Sequence, residues 1–445
     1  MPHSPELLAS GREGDRSARP PSLRVLLTEG SGLTSRQVAT RLGALGHEVE
    51  VLSSTDLCLA RFCRHVRRLH RVPAFGAEPL AWLEAALGIA RARRVDVLFP
   101  TQEQVAVISA FRDAIGVATL VPPFAALRRV QDKVSAYGTL RRLGVAQPEA
   151  WVVRSRREVS RVRVFPSFVK RPIGTASSGV CRVRTRAELE TAAAALGLEP
   201  PGLLVQAEAQ GPLAMVQAVA DRGRMVAFHA SLRVREGVSG GAALKESLAL
   251  PALEDAVSRL CRALGWHGPL SLDAVLAREG PLVIDVNPRL VEPMNAWFAG
   301  VDLVRASMAL AQGQSPPAEP PGHAGVRSHQ LLLAILEAAK EEGRCGVARE
   351  VTQAMLRRGC YAGSEEELTP LAGDPLAIGP VVLTALATAV RPRSWRWFDA
   401  GAVGAYALTP SGWRTILRAS ESDFRDRLRR RVRSKSQVGR ICRST

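Results

Sequence analysis

The sequence predicts two joined units of different class, a parallel α/β domain and an α+β body, with a C-terminal extension. Three observations carry this: a strand–helix–strand unit near the start, antiparallel strand pairs with tight turns in the middle, and a proline-rich break late in the chain. At 445 residues the chain exceeds one ordinary core. Its 46% apolar and 23% charged residues are those of a folded protein.

Leu23 to Thr28 is a short apolar strand, and Glu29-Gly30-Ser31-Gly32 is the turn after it. Thr34 or Ser35 can cap the helix that follows, on which Val38, Leu42 and Leu45 share one face. Gly46 closes that helix and 47–52 resumes as a strand, completing a βαβ unit. The turn lacks the full Gly-x-Gly-x-x-Gly of a dinucleotide site. A second helix over 80–91 and a strand over 95–99 extend the unit, so 22–125 reads as a small parallel α/β domain.

From about 126 the pattern changes. Helices near 124–131 and 135–143 precede strands near 151–153, 164–170, 179–184, 203–206, 214–220 and 224–234, with Asp221-Arg222-Gly223 as a hairpin turn. A helix at 252–264 precedes two strands, 269–277 and 281–287, that flank Arg278-Glu279-Gly280. This α+β unit runs over 126–314 and ends at the break Ser-Pro-Pro-Ala-Glu-Pro-Pro-Gly. A domain of unreadable role over 325–420 follows, then a basic tail over 421–445; residues 1–21 form a disordered leader without an apolar run. The apolar stretch from Leu376 to Val390 is too short and too broken by Gly379 and Pro380 for a membrane span, and reads as a buried core segment.

The net charge of +18 comes almost wholly from arginine, since Lys133, Lys170, Lys245, Lys340 and Lys435 are the only lysines. Arg429-Arg430-Arg431 concentrate charge in the tail, which reads first as a solvated end and second as a nucleic-acid contact. Seven unevenly spaced cysteines make no disulfide framework, so a reduced, cytoplasmic setting is expected. Cys58, Cys63, His65 and His70 are spaced more loosely than short structural zinc sites.

The sharpest local reading concerns Ser271-Leu272-Asp273 and Asp285-Val286-Asn287-Pro288-Arg289. Joined by a three-residue loop at 278–280, the two strands set Asp273 opposite Asp285, and strand alternation puts Asn287 on the same face. Facing carboxylates repel, so the arrangement calls for a cation. Two carboxylates and an amide suit Mg2+, with Mn2+ as a substitute. Arg289 stands two residues on, placed to aim a guanidinium at a phosphate.

Lys170 ends a strand and runs into Ile173-Gly174-Thr175-Ala176-Ser177-Ser178-Gly179. Such a small-residue loop lets backbone N–H groups approach phosphate oxygens beside the lysine ammonium. The spacing is not the Walker pattern. Lys133, after Gln131-Asp132, is a second lysine kept in an arginine-dominated chain.

Taken together these residues resemble the ATP-grasp superfamily, in particular its carbamoyl-phosphate-synthase-like and D-alanine–D-alanine-ligase-like members. The resemblance spans about 22–312 and rests on Asp132-Lys133, Lys170-Arg171-Pro172 with its loop, Leu203 to Gln206, Gly240-Gly241, His267 to Asp273 and Asp285 to Arg289. It implies an ATP-grasp fold preceded by a pre-ATP-grasp α/β domain and followed by a C-terminal extension. It further implies that Lys133, Lys170, Gly174, Ser177, Ser178 and Gly179 meet the phosphates of ATP, and that Gln206, Ala207, Glu208 and Ala209 form the hinge at adenine. Asp273, Asp285 and Asn287 would bind magnesium, while Arg289, Lys170 and Arg233 would assist phosphoryl transfer. The implied activity is ATP-dependent activation of a small-molecule carboxylate for attack by an amine or similar nucleophile. Two positions depart from the family pattern: Asp285 replaces the usual glutamate, and Leu213 stands where a ribose-binding glutamate is common, with Glu208 as a substitute. These departures motivate an alternative, an ATP-binding but catalytically weak protein that acts through a partner.

Overall fold

The computed structural model describes residues 22–175, 178–368, 373–422, 424–426 and 428. Five parallel strands, β1 (Arg24–Leu27), β2 (Glu48–Ser53), β3 (Val66–Arg71), β4 (Val97–Phe99) and β5 (Ala118–Thr119), form a sheet in the order β3-β2-β1-β4-β5. β1 is buried almost throughout, as its continuous apolar run requires for a strand covered on both faces. β3 was not anticipated, because Arg67, Arg68, His70 and Arg71 hide its strand period. His70 Nε2 donates to the Glu50 carboxylate at 2.6 Å, and Cys58 and Cys63 sit in the apolar core below the sheet.

A four-stranded antiparallel sheet follows, β6 (Ala150–Val153), β7 (Ser167–Lys170), β8 (Val180–Val183) and β9 (Leu203–Ala207), in the order β6-β9-β7-β8. A seven-stranded sheet faces it: β10 (Leu213–Asp221), β11 (Arg224–Glu236), β12 (Ala242–Ser247), β13 (Gly268–Ala277), β14 (Gly280–Asn287), β15 (Arg327–His329) and β16 (Ser364–Glu366). Its order is β14-β13-β10-β11-β12-β15-β16, antiparallel except for the last pair. The helix Pro251–Leu264 buries Leu253, Val257 and Leu260 against this sheet, the apolar spacing read from its sequence.

Beyond the proline-rich break the helices Leu331–Glu341, Gly343–Met355 and Ile378–Val390 pack on one another around Ile335, Ala339 and Val347, and other parts of the segment join the two earlier units. Arg327–His329 and Ser364–Glu366 extend the large sheet, while Leu408, Trp413, Ile416, Phe424 and Leu428 fill the core of the N-terminal α/β domain. The last two belong to the segment read as a tail. The leader and Arg429 to Thr445 lie outside the described residues, and with them Arg429-Arg430-Arg431. Trp413 packs edge-on against Phe124 and is 7% exposed. Trp413→Ala is therefore expected to destabilise the full chain by about 3–5 kcal/mol, read as a lower denaturation midpoint. A change within experimental error would mean that the C-terminal helix is only laid on the surface.

The segment Leu376 to Val390 corrects the sequence reading. Ile378–Val390 is a helix, but Ile378, Val382, Leu383, Leu386 and Val390 are exposed, while Thr384 and Thr388 are buried. Thr388 satisfies its hydroxyl on the Thr384 carbonyl, so the polar residues can turn inward. Among the described residues no helix is long and apolar enough to cross a membrane.

Candidate active site

The β13–β14 hairpin brings Asp273 opposite Asp285, with Ser271 opposite Asn287. The route differs from the one expected. Ala277 pairs with Gly280, so the turn has two residues, Arg278 and Glu279, which alone would shift the register by one. An irregularity between Asp273 and Ala274 leaves Ile284 unpaired and restores the Asp273–Asp285 pairing. That bulge has a use: the freed Ile284 carbonyl accepts a hydrogen bond from Lys170 Nζ at 2.9 Å. Asn287 Nδ2 approaches Asp273 Oδ2 at 3.5 Å, so the three oxygen-bearing side chains share one face.

Lys133 opens the helix Lys133–Arg142, whose N-cap Asp132 accepts from the Ser135 amide at 2.8 Å. Its own amide donates to the Pro172 carbonyl, tying it to the strand that carries Lys170. Lys133 Nζ reaches both Asp285 oxygens, at 2.6 and 2.7 Å. Lys170, at the end of β7, also donates to Gln206 Oε1 at 2.7 Å. Two lysines from distant segments thus meet at one strand, Lys133 on the Asp285 carboxylate and Lys170 on the neighbouring Ile284 carbonyl.

The electrostatics separate these groups. Burial lowers the Lys170 ammonium to about 8, with Lys133 acting the same way against Asp285 and Asp273. Burial and the facing Asp285 push the Asp273 carboxyl up to about 6, although Lys133, Arg233 and Lys170 oppose them. Burial also acts to raise Asp285, but Lys133 and Lys170 outweigh it and hold that carboxyl below its ordinary range. Asp273 is the less compensated of the pair. Among the described residues no three His, Cys, Asp or Glu side chains form a metal group, as expected where the third donor is an amide. Two carboxylates and an amide oxygen on one face, one carboxylate poorly neutralised, fit a hard divalent cation.

Of the other anticipated residues, Gly174 and Gly179 shape the loop. A Cβ on Gly174 would meet the Ser178 carbonyl oxygen at 2.1 Å, and Gly179 has φ of 76°. Ser178 donates its amide to Thr175, whereas Ser177 lies outside the described residues. Gln206 is buried and its side chain is committed to Lys170. The Ala207 and Glu208 amides donate to Glu149 and Pro166 carbonyls, and Ala209 follows directly. Glu208 is paired with Arg182 at 2.7 Å, so its carboxylate is engaged. Arg233 donates to the Gly240 carbonyl at 2.7 Å and pairs with Glu236. Arg289 is turned toward Glu103, at 3.1 Å.

Glu103 was not anticipated. Its signal is positional: Thr101-Gln102-Glu103-Gln104 directly follows β4, at the carboxyl end of a parallel strand, where α/β folds hold ligands. Glu292, three residues past Arg289, was also missed; φ of 54° holds it in the left-handed region.

Fold and site together are similar to those of ATP-grasp proteins. Residues 130–293 match the sequence model of the ATP-grasp domain family. The chain is 29% identical over 218 residues to the carbamoyl phosphate synthase large chain of Thermus thermophilus, covering 45% of this chain and 21% of that one. It therefore spans about a fifth of the length of the curated relatives it matches. In structure it is similar to carboxyaminoimidazole ribonucleotide synthase from Aspergillus clavatus complexed with ATP, with TM-score 0.59 and 15% identity over 82% of this chain and 99% of that one. It also resembles the biotin carboxylase of Campylobacter jejuni, with TM-score 0.57 and 16% identity over 68% of this chain and 74% of that one. At these identities the structural likeness concerns the fold.

Proposed function

We propose that the protein is an ATP- and magnesium-dependent, ADP-forming ligase that activates a carboxylate as its acylphosphate for attack by an amine or similar nucleophile. The observation that carries this reading is the convergence of Lys133, on Asp285, and Lys170, on the Ile284 carbonyl, at the hairpin that sets Asp273 opposite Asp285 and beside Asn287. In this reading Asp273, Asp285 and Asn287 hold Mg2+, or Mn2+ in its place, which supplies positive charge to the phosphate oxygens. Lys170 stays anchored by Gln206 and Ile284 and directs its ammonium at the phosphates, while Lys133 exchanges Asp285 for a phosphate oxygen. Gly174, Ser177, Ser178 and Gly179 close over the triphosphate, and the backbone from Gln206 to Ala209 meets adenine. Arg289 and Arg233 steady the transferring phosphoryl group, a charge and positioning task.

A second reading, nucleotide binding with little turnover and action through a partner, draws on Leu213 and on the Glu208–Arg182 pair, which engages the substitute ribose ligand. Hydroxylamine separates the two. With Mg·ATP and a panel of carboxylic acids, the ligase should release ADP in step with a hydroxamate, the trapped acyl group. ATP binding with no hydroxamate across the panel favours the second reading, and release of AMP and pyrophosphate contradicts both.

A further inference from the structure

We propose that the exposed face of the helix Ile378–Val390, with the basic cavity at its start, docks the protein on an anionic lipid membrane. The helix ridge enters the boundary between headgroups and acyl chains, and the cavity takes a headgroup phosphate. This goes beyond the ligase reading and does not rest on it.

The polarity of the helix is inverted. From Pro375 to Val390 the sequence carries no charged residue. Val381, Ala385 and Ala389 pack inward against Ile335, Ala339 and Val347, and Thr384 and Thr388 are buried as well. Ile378, Val382, Leu386 and Val390 recur at every fourth position, which sets them in one row along the helix. With Leu376 and Leu383 beside them, these side chains remain 43–72% exposed. Apolar exposure gathered in this way marks an interaction surface, whereas single scattered residues do not.

Positive charge stands at both ends of the ridge. At its start Arg64 Nη1 donates to the Gly373 carbonyl at 2.6 Å. A Cβ on Gly379 would meet the Phe62 ring at 3.3 Å, so the first helical turn lies against the same segment. Arg64 also lines a cavity of about 350 Å³ with His47, Glu48, His65 and Arg67. The one carboxylate there, Glu48, is engaged by Arg24 at 3.4 Å. At the far end Arg344 Nη2 donates to the Val390 carbonyl at 2.7 Å, and the exposed Arg391 and Arg393 follow. Among the described residues, no carboxylate lies within ion-pair distance of Arg64, Arg67, Arg344, Arg391 or Arg393.

An uncharged ridge between groups of unpaired arginines selects an apolar surface edged by anions. A second copy does not meet that need. It sets the same arginines against one another, and each chain carries a net charge of +18. A protein partner has to supply a groove that fits the helix. The headgroup boundary accepts a helix lying in its plane without one, and offers phosphates where the arginines stand. Each arginine at such a surface strengthens partitioning about fivefold.

The test sediments the full chain with vesicles of phosphatidylcholine, with and without phosphatidylglycerol. The anionic vesicles should bind at least ~10-fold more tightly than the neutral ones. The double substitution Leu383→Ser and Leu386→Ser keeps every charge and should weaken that binding ~10-fold, with the circular dichroism spectrum unchanged. Arg64→Gln with Arg67→Gln should weaken it by a similar factor, and is the deciding variant if the serine protein does not fold. Absence of binding to anionic vesicles overturns the proposal. So does binding that survives the serine substitutions, which is the diffuse attraction of a cationic chain. Release of the vesicles by glycerol 3-phosphate would make the cavity a site for a free phosphoester, and a dimer that the serine substitutions dissociate would give the face to a second copy. Either result overturns membrane docking. Hydroxamate formation bears on the ligase reading alone, so the two fail separately.

Discussion

Lys170→Met is expected to lower turnover ~10²–10³-fold, the loss typical when one preorganised donor to a developing oxyanion is removed. The side chain stands at the crossing of both sheets, between Gln206 and the bulged Ile284 carbonyl. No other described ammonium reaches that position, since Lys133 approaches from the Asp285 side. The same residue gives the site a pH signature. In the free protein burial holds the ammonium at about 8, below its ordinary value of 10.5. A bound triphosphate favours the charged form, so between those two values binding takes up a proton and affinity falls as pH rises. Calorimetric titration with AMP-PNP in buffers of different ionisation enthalpy should show that uptake in wild type and its loss in Lys170→Met. Proton uptake unchanged by the substitution would remove Lys170 from the phosphate site.

Asp273→Asn is expected to act in opposite directions on activity and stability. Turnover should fall ~10²–10³-fold, because the amide cannot supply the second negative donor to the cation. The metal-free protein should instead gain about 1–3 kcal/mol at neutral pH, because a buried carboxylate facing Asp285 is removed. The sign follows from the folded carboxyl titrating at about 6 rather than at its ordinary 3.8. Between those values the folded state binds the extra proton, so this residue's contribution to stability falls as pH rises and is gone above about 6. In Asp273→Asn that decline should vanish from the pH dependence of denaturation in EDTA. Loss of stability on substitution would mean that the carboxylate is well compensated without a metal.

The fold was legible in sequence where burial follows a simple period. The strand at Leu23–Thr28 declared itself by a continuous apolar run buried on both faces, and the helix at 252–264 by one apolar face packed on one core. β3 did not, since an edge strand rich in arginine carries no such alternation. β15 and β16 were missed because three-residue strands have no period at all, and their membership of the large sheet is a tertiary fact. At the site, the Asp273–Asp285 pairing was anticipated through two compensating errors, a turn one residue too long and an unseen bulge. Local spacing does not report bulges, yet this one frees the carbonyl that anchors Lys170. The exposed face of Ile378–Val390 inverts the usual rule, since composition alone assigns an apolar run to the interior.

The most direct test is a crystal structure of the full chain with AMP-PNP and magnesium. The nucleotide should lie between the four-stranded and seven-stranded sheets, with the metal on Asp273, Asp285 and Asn287, Lys170 at the phosphates, and Lys133 moved from Asp285 onto a phosphate oxygen. A triphosphate bound away from Asp285, or a metal that leaves Asp273 and Asn287 without contact, would contradict the account.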